Sequence, residues 1–257
     1  MFIEERHRAI LEIIAEKGRI STSEIKNLFG VGYETAKRDL RLLEQKGLLK
    51  RVYGGAIPLV GYGVGKPAGV TCRDYNEVRP DYLAVAKRAA LFVENGDIIF
   101  ISAATVGWFM LGFLPREYSL RIVVNSTILA EELRKNKNFK VVMLGGELDE
   151  KGNSYGMYAR EILRGMRIDK AFVTSAYISP TFGLSVQSES RAEFLRLVLD
   201  CSRKAFGLYP TAKIGAESAI SICPASRLHT LITDSDISEE DIAAFCELGV
   251  EVVTVSP

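Results

Sequence analysis

Apolar positions along this chain follow two rhythms. Over residues 4–46 they recur at intervals of three and four, the period of helices that bury one face. In EERHRAILEIIAEK, Ile10, Ile13 and Ile14 keep that spacing, which predicts a helix over 4–17 with Gly18 as its stop. STSE follows. Ser21 and Glu24 have the S-x-x-E spacing of a capping box, with Ser23 as the other candidate cap, and a short helix over about 23–29 ends near Gly30. A third helix is predicted over 33–46, its core face formed by Ala36, Leu40 and Leu43, its stop at Gly47. LLKRV, YGG and AIP then read as a β-hairpin, with Gly54 and Gly55 suited to positive φ and Pro58 ending the second strand.

Past residue 78 the rhythm changes to short continuous apolar runs separated by helical segments. The runs are 97–102, 120–125, 139–145, 170–176, 204–209, 229–234 and 250–255; the helical candidates are 80–94, 105–113, 127–136, 157–166, 188–202 and 238–248. Apolar strands alternating with helices predict a parallel sheet covered on both faces. Between the two regions, LVGYGVGKPAGV holds Gly61, Gly63, Gly65, Gly69 and Pro67, the composition of a linker. The fold class is therefore α/β, with a small helical domain at 1–58, a linker at 59–75 and a parallel-sheet domain at 76–257.

Charge sharpens the picture for the first domain. Net charge over the 257 residues is only +1, but residues 1–57 carry eleven Lys and Arg against eight Asp and Glu. No apolar run approaches the ~20 residues that span a bilayer, the N-terminus lacks a signal pattern, and a cytoplasmic protein without membrane contact is expected. Four scattered cysteines and two histidines, none in a metal-binding spacing, argue against zinc, and no cofactor is expected.

On the helix at 33–46, Arg38 and Arg41 lie opposite the core face, while Tyr33, Thr35 and Lys37 crowd the first turn. Helix-turn-helix proteins present this part of their second helix to base edges, where Arg reads guanine and Thr can touch a thymine methyl. The hairpin adds Lys50, Arg51 and Tyr53, so the module reads as a winged helix-turn-helix with the wing on the phosphate backbone. A three-helix bundle with a solvated basic face is the plain alternative. Helix order, the short turn at 30–32 and the basic wing favour DNA.

Residues 6–56 also resemble the N-terminal domain of DeoR-type bacterial transcription regulators, whose pattern is V-S-x-x-T-[IVA]-R-R-D-L followed by R-x-H-G-G-A. Val31, Thr35, Arg38, Asp39, Leu40, Gly47, Leu49, Arg51, Gly54, Gly55 and Ala56 match; Gly32, Lys37 and Tyr53 depart from it. The resemblance continues through VNST at 124–127, LGGEL at 144–148, IDKAFVTSAYIS at 168–179, FGLS at 182–185, SESRAEF at 188–194, TAKIG at 211–215 and LITD at 231–234. It implies a C-terminal sensor domain related in fold to ribose-5-phosphate isomerase, which binds a phosphorylated sugar or related metabolite. The positions it implies for the effector are Ser102, Thr105, Asn125, Gly145, Gly146, Glu189 and Lys213.

The phosphate loop departs from that pattern. The D-x-G-[ST]-T loop is Ile101-Ser102-Ala103-Ala104-Thr105 here, and D-x-S-K is Pro210-Thr211-Ala212-Lys213. Three readings stay open: phosphate held by backbone amides, Ser102, Thr105 and Lys213; a less charged or aromatic ligand stacked on Trp108 or Tyr177; or a domain that only assembles the oligomer. Bland roles compete as well, with Trp108 in the core, Lys213 exposed, and Ser102 and Thr105 capping a helix. The expected function is a DNA-binding regulator, with repression as the family's usual mode. It would act as a homodimer or homotetramer on a double-stranded operator, with affinity set by a sugar-phosphate-like effector. A ligand-independent DNA binder and an isomerase-like enzyme using Glu189 and Lys213 are the alternatives.

Overall fold

The computed structural model describes residues 3–17, 20–45, 48–52, 54–58 and 79–256. The expected linker, Tyr53, and the stops at Gly18 and Gly47 lie outside them. The described residues fall into two compact units.

The first unit contains α1 (Ile3–Lys17), β1 (Ile20–Ser21), α2 (Thr22–Phe29), α3 (Tyr33–Gln45), β2 (Leu49–Val52) and β3 (Gly55–Pro58). Ser21, not Ser23, is the N-cap of α2. Its hydroxyl accepts from the Glu24 amide while the Glu24 carboxylate takes the Ser21 amide, so the capping box is closed. Gly30 ends the helix at φ 63°, a conformation that favours glycine. Ile10, Ile14, Ile20, Ile25, Ala36, Leu40, Leu43, Leu49 and Ala56 make one core. The hairpin gains an unanticipated third strand, because β1 pairs with β3 (Ile20 opposite Ala56, Ser21 opposite Gly55). That strand also revises the expectation for Gly55. Only Gly54 has positive φ, 82°; at Gly55 a Cβ would sit 2.2 Å from the Ile20 carbonyl oxygen, so glycine there permits close strand approach.

One ionic cluster crosses this core. Asp39 of α3 is 1% exposed and accepts from Arg6 Nε at 2.6 Å and Arg6 Nη2 at 3.1 Å, with His7 Nε2 at 3.1 Å from its Oδ1. The bond to Asp39, partly opposed by burial, raises the Arg6 pKa, so the guanidinium stays charged. The bidentate geometry fixes the rotation of α3 against α1.

The second unit carries α4 (Pro80–Ala90), β4 (Ile98–Ile101), α5 (Thr105–Met110), β5 (Leu120–Val124), α6 (Thr127–Leu133), β6 (Phe139–Met143), α7 (Met157–Arg164) and β7 (Ile168–Val173). It continues through β8 (Tyr177–Ser179), β9 (Gly183–Val186), α8 (Glu189–Asp200), β10 (Ser202–Leu208), β11 (Ile220–Cys223), β12 (Thr230–Asp234), α9 (Glu239–Glu247) and β13 (Glu251–Val255). All seven expected strands join one sheet, in the order β13-β12-β10-β7-β4-β5-β6, and every pairing is parallel. The chain starts at β4, steps outward to β5 and β6, then returns to the other side of β4 for β7. Right-handed crossovers therefore put α5 and α6 on one face and α7, α8 and α9 on the other. Phe100, Leu163, Phe194, Val198 and Phe245 share one buried cluster, while Phe172 stacks on Phe206 at 5.1 Å. Each such side chain contributes about 1.5–3 kcal/mol by leaving water.

A second, three-stranded antiparallel sheet, β11-β9-β8, was not anticipated. It positions the turn that carries Lys213: Ile178 of β8 bridges Ile214, and the Gly215 amide donates to the Ile178 carbonyl at 2.9 Å.

Breaking a buried ion pair strands a charge. Arg6→Ala should lower the stability of the first unit by about 3 kcal/mol, read in the full chain as faster native-state hydrogen exchange of α1 and α3 amides. Unchanged exchange would show that Asp39 does not hold α3.

Candidate functional site

The exposed side of α3 matches the face expected from its sequence. Ala36, Asp39, Leu40 and Leu43 are buried, whereas Tyr33, Thr35, Lys37, Arg38 and Arg41 are exposed. Lys37 Nζ lies 4.7 Å from the Tyr33 ring centroid and 3.2 Å from a Glu34 oxygen. Arg38 and Arg41 have no ion-pair partner among the described residues, so both are available to an anion. Arg51 differs: its amide donates to Glu44 Oε1 at 2.9 Å and its Nε lies 3.7 Å from Glu44 Oε2, which tethers the wing to the end of α3. A phosphate would have to compete with Glu44 for it.

In the second unit the strand order reverses between β4 and β7. In open α/β sheets such a reversal opens a crevice at the carboxyl ends of the two strands. The chain leaving β4 there is Ser102–Thr105, and the chain leaving β7 is Thr174 and Ser175. They touch: Ser102 Oγ accepts from the Thr174 amide at 3.4 Å. Lys213, on the turn after β10, reaches the same segment, with Nζ 3.4 Å from the Ser175 carbonyl oxygen. Tyr209 is fully buried and its hydroxyl lies 2.7 Å from Ser175 Oγ. Since Ser175 Oγ donates to the Tyr177 carbonyl, Tyr209 donates to Ser175. Burial pushes the Tyr209 phenol far up, so it stays a neutral donor.

Helix α5 begins beside Ser102. Gly107 makes this possible, because a Cβ there would stand 2.1 Å from the Ser102 carbonyl oxygen. Neither Ser102 nor Thr105 caps α5: its N-cap is Ala104, with no side-chain bond. The first amides of α5 are thus not taken by a cap and face the crevice with the positive end of the helix dipole. Helices α6, α7 and α8 likewise start without a side-chain cap, whereas Ser238 caps α9.

Asn125, Gly145 and Gly146 form a neighbouring cluster after β5 and β6. Asn125 is 1% exposed and its Nδ2 donates to the Ser154 carbonyl at 3.0 Å, while Ser154 Oγ donates to Gly145 O at 2.8 Å. Asn125 therefore pins the 145–154 loop. Asp149 in that loop binds Arg191 of α8 at 2.9 Å. Burial works against the charged Asp149, but the Asn153 and Lys151 amides and Arg191 outweigh it and lower its pKa. Glu189, the first residue of α8, is exposed and has no ion-pair partner among the described residues. Trp108 is 2% exposed, a core residue and not a stacking platform.

Sequence reasoning missed Arg6 and His7 behind α3, and Thr174, Ser175, Tyr209 and Asp234 in the crevice. Asp234 is 2% exposed and accepts from the Thr211 amide at 2.7 Å and the Thr211 hydroxyl at 2.8 Å. The quoted LITD stretch contained Asp234, but nothing in its spacing pairs it with Thr211.

Among the described residues no group of three or more His, Cys, Asp or Glu could hold a metal ion, and no helix is long and apolar enough to cross a membrane.

The DeoR-like helix-turn-helix domain matches residues 6–59, and the DeoR C terminal sensor domain matches residues 82–235. The chain is 29% identical over 256 residues to the uncharacterized HTH-type transcriptional regulator YulB of Bacillus subtilis, covering 99% of this chain and 98% of that protein. It is 30% identical over 241 residues to YgbI of Escherichia coli, also an uncharacterized HTH-type transcriptional regulator, covering 91% of each. It is 28% identical over 259 residues to the HTH-type transcriptional repressor GlcR of Bacillus subtilis, covering 98% of this chain and 96% of that protein. Ribose 5-phosphate isomerase A from Methanocaldococcus jannaschii aligns with 52% of this chain and 53% of its own at 16% identity with a TM-score of 0.38, a likeness too slight to bear on activity. Both domains match in order along one chain, and the protein belongs to the DeoR family of helix-turn-helix transcriptional regulators.

Proposed function

We propose that this regulator represses its target genes and leaves its operator when a small phosphorylated metabolite, a sugar phosphate first of all, binds the crevice between β4 and β7. One observation carries this reading: Ser102 and Lys213, two positions of the altered phosphate loop and its partner, converge on Thr174 and Ser175 beside the uncapped start of α5. An anion there would meet backbone amides, a helix dipole and one ammonium group. The losses at Ile101, Ala103, Ala104 and Pro210 remove side chains from that set but no backbone donor except at Pro210. The name of GlcR supports repression as the default direction.

The organisation that goes with it is a DNA-binding domain at 1–58, a connecting segment at 59–75 and an effector-binding and oligomerisation domain at 76–257. Two DNA-binding domains of a homodimer or homotetramer would occupy successive major grooves of a two-fold operator, ~34 Å apart or a multiple of it. Exposed Met157, Tyr158 and Ile162 on α7, with Leu148 in the loop before it, are apolar surface suited to such self-association. In this reading the sensor domain binds without turnover in the cytoplasm. Glu189 is solvent-facing, and the Asp234 carboxylate is occupied by Thr211 and the Asp236 amide, so neither is poised as a general base beside Lys213.

Arg38→Ala should cost about 1–3 kcal/mol in operator binding and relax preference at one base position; a uniform loss on all sequences would make Arg38 a phosphate contact. Arg51→Ala should reduce the salt slope of binding by roughly one, and an unchanged slope would take the wing out of the interface. In thermal-shift assays, a sugar phosphate at ~100 times its Kd should stabilise the full chain by about 2.7 kcal/mol. Lys213→Ala should abolish that shift; a shift that persists in the variant, or that only uncharged sugars produce, would contradict a phosphate site at Lys213.

A further inference from the structure

The turn bearing Lys213 is contacted from a second direction, by the first turn of α4. Lys213 Nζ lies 6.0 Å from the centroid of the Tyr82 ring. The Arg79 guanidinium lies 4.7 Å from the same centroid. Two cations thus use one aromatic ring, an arrangement in which moving either charge changes the interaction of the ring. Arg79 is itself anchored: its Nε and Nη2 donate to the Asp81 carboxylate at 3.2 and 2.5 Å. That bond raises the Arg79 pKa, and α4 packs against β12, the strand that ends in Asp234. Asp234 in turn holds Thr211, the first residue of the Lys213 turn. Lys213 therefore meets α4 through Tyr82, while Thr211 is held by the last residue of β12, a strand on which α4 packs.

α4 is packed against α5, β10 and β12, the elements that carry the crevice. It is also the first described element after residues 59–78, so it stands where the chain arriving from the DNA-binding unit enters the sensor domain. Neither the expected effector residues nor the sequence motifs include Arg79 or Tyr82.

We propose that the first turn of α4, through Tyr82 and Arg79, forms one wall of the effector site and relays its occupancy toward the DNA-binding domain. This rests on the reading of Lys213 as an effector contact. A phosphoryl group at Lys213 draws the ammonium from the Ser175 carbonyl and the Tyr82 face, and competes with Asp81 for Arg79. The Tyr82 ring then offers its apolar face to the carbon skeleton of the ligand. The ligand class is a phosphorylated sugar or polyol, with inorganic phosphate as the minimal form.

Hydrogen exchange of the full chain tests this, using inorganic phosphate, ribose 5-phosphate and glucose 6-phosphate as probes, with wild type and Tyr82→Leu. A probe that binds should slow exchange in the peptide covering 211–215 by about tenfold or more at saturation. In wild type, the peptide covering 80–90 should change at the same probe concentration. In Tyr82→Leu the sugar phosphates should need a higher concentration to slow exchange at 211–215, and once that response is saturated the 80–90 response should be absent. A wild-type response confined to 211–215 would overturn the relay while leaving the effector site standing. So would an 80–90 response that survives in Tyr82→Leu. No response at 211–215 to any probe would overturn the phosphate reading of Lys213, and the relay with it.

Discussion

A sheet whose strands are all parallel can only be built by carrying the chain back through a crossover after every strand. Seven such strands bring every strand terminus of one polarity to one edge of the sheet, and helices that follow a strand start at that edge. Where the strand order reverses, at β4 and β7, the helices leave in opposite directions and expose a crevice. Ser102, Thr174, Ser175 and Lys213 are polar groups placed there by topology, from three segments far apart in sequence. Their hydrogen bonds, together with the Tyr209 hydroxyl beneath them, make the crevice a fixed arrangement of donors.

The DNA-binding unit depends on a different constraint. Its core of small and branched apolar residues would tolerate some rotation of α3, but the Asp39 carboxylate does not. Held by Arg6 and His7 from α1, it turns Tyr33, Thr35, Lys37, Arg38 and Arg41 outward together. The wing is set by a close strand contact at Gly55 and by the Glu44 tether on Arg51. Position of these exposed groups is thus fixed by buried chemistry on the opposite side of the same helix.

Much of this was legible in the sequence. The seven runs of branched residues are long enough for their burial on both faces to show, and each became a strand of the main sheet. The capping box at Ser21 and the glycine stop at Gly30 were readable because both signals are local. The second sheet was not, since β8, β9 and β11 have three or four residues each, too few for a period to register. Nor did any spacing reveal that Asp39 meets Arg6, that Asp234 holds Thr211 or that Tyr82 lies beside Lys213, because these pairs form only when distant segments are packed. The motif match named Asn125 in the effector set, and no spacing showed that its side chain also donates to the Ser154 carbonyl and so helps to shape the 145–154 loop.

In the proposed function, occupancy of the β4–β7 crevice changes affinity for DNA. The most direct test is the operator-binding isotherm of the full chain, on a sequence selected from random duplexes, with and without a sugar phosphate that stabilises the protein. The saturating ligand should weaken binding by a coupling of about 1–3 kcal/mol, roughly 5- to 150-fold in Kd. An isotherm that does not move, measured with a ligand shown to be bound, would contradict it.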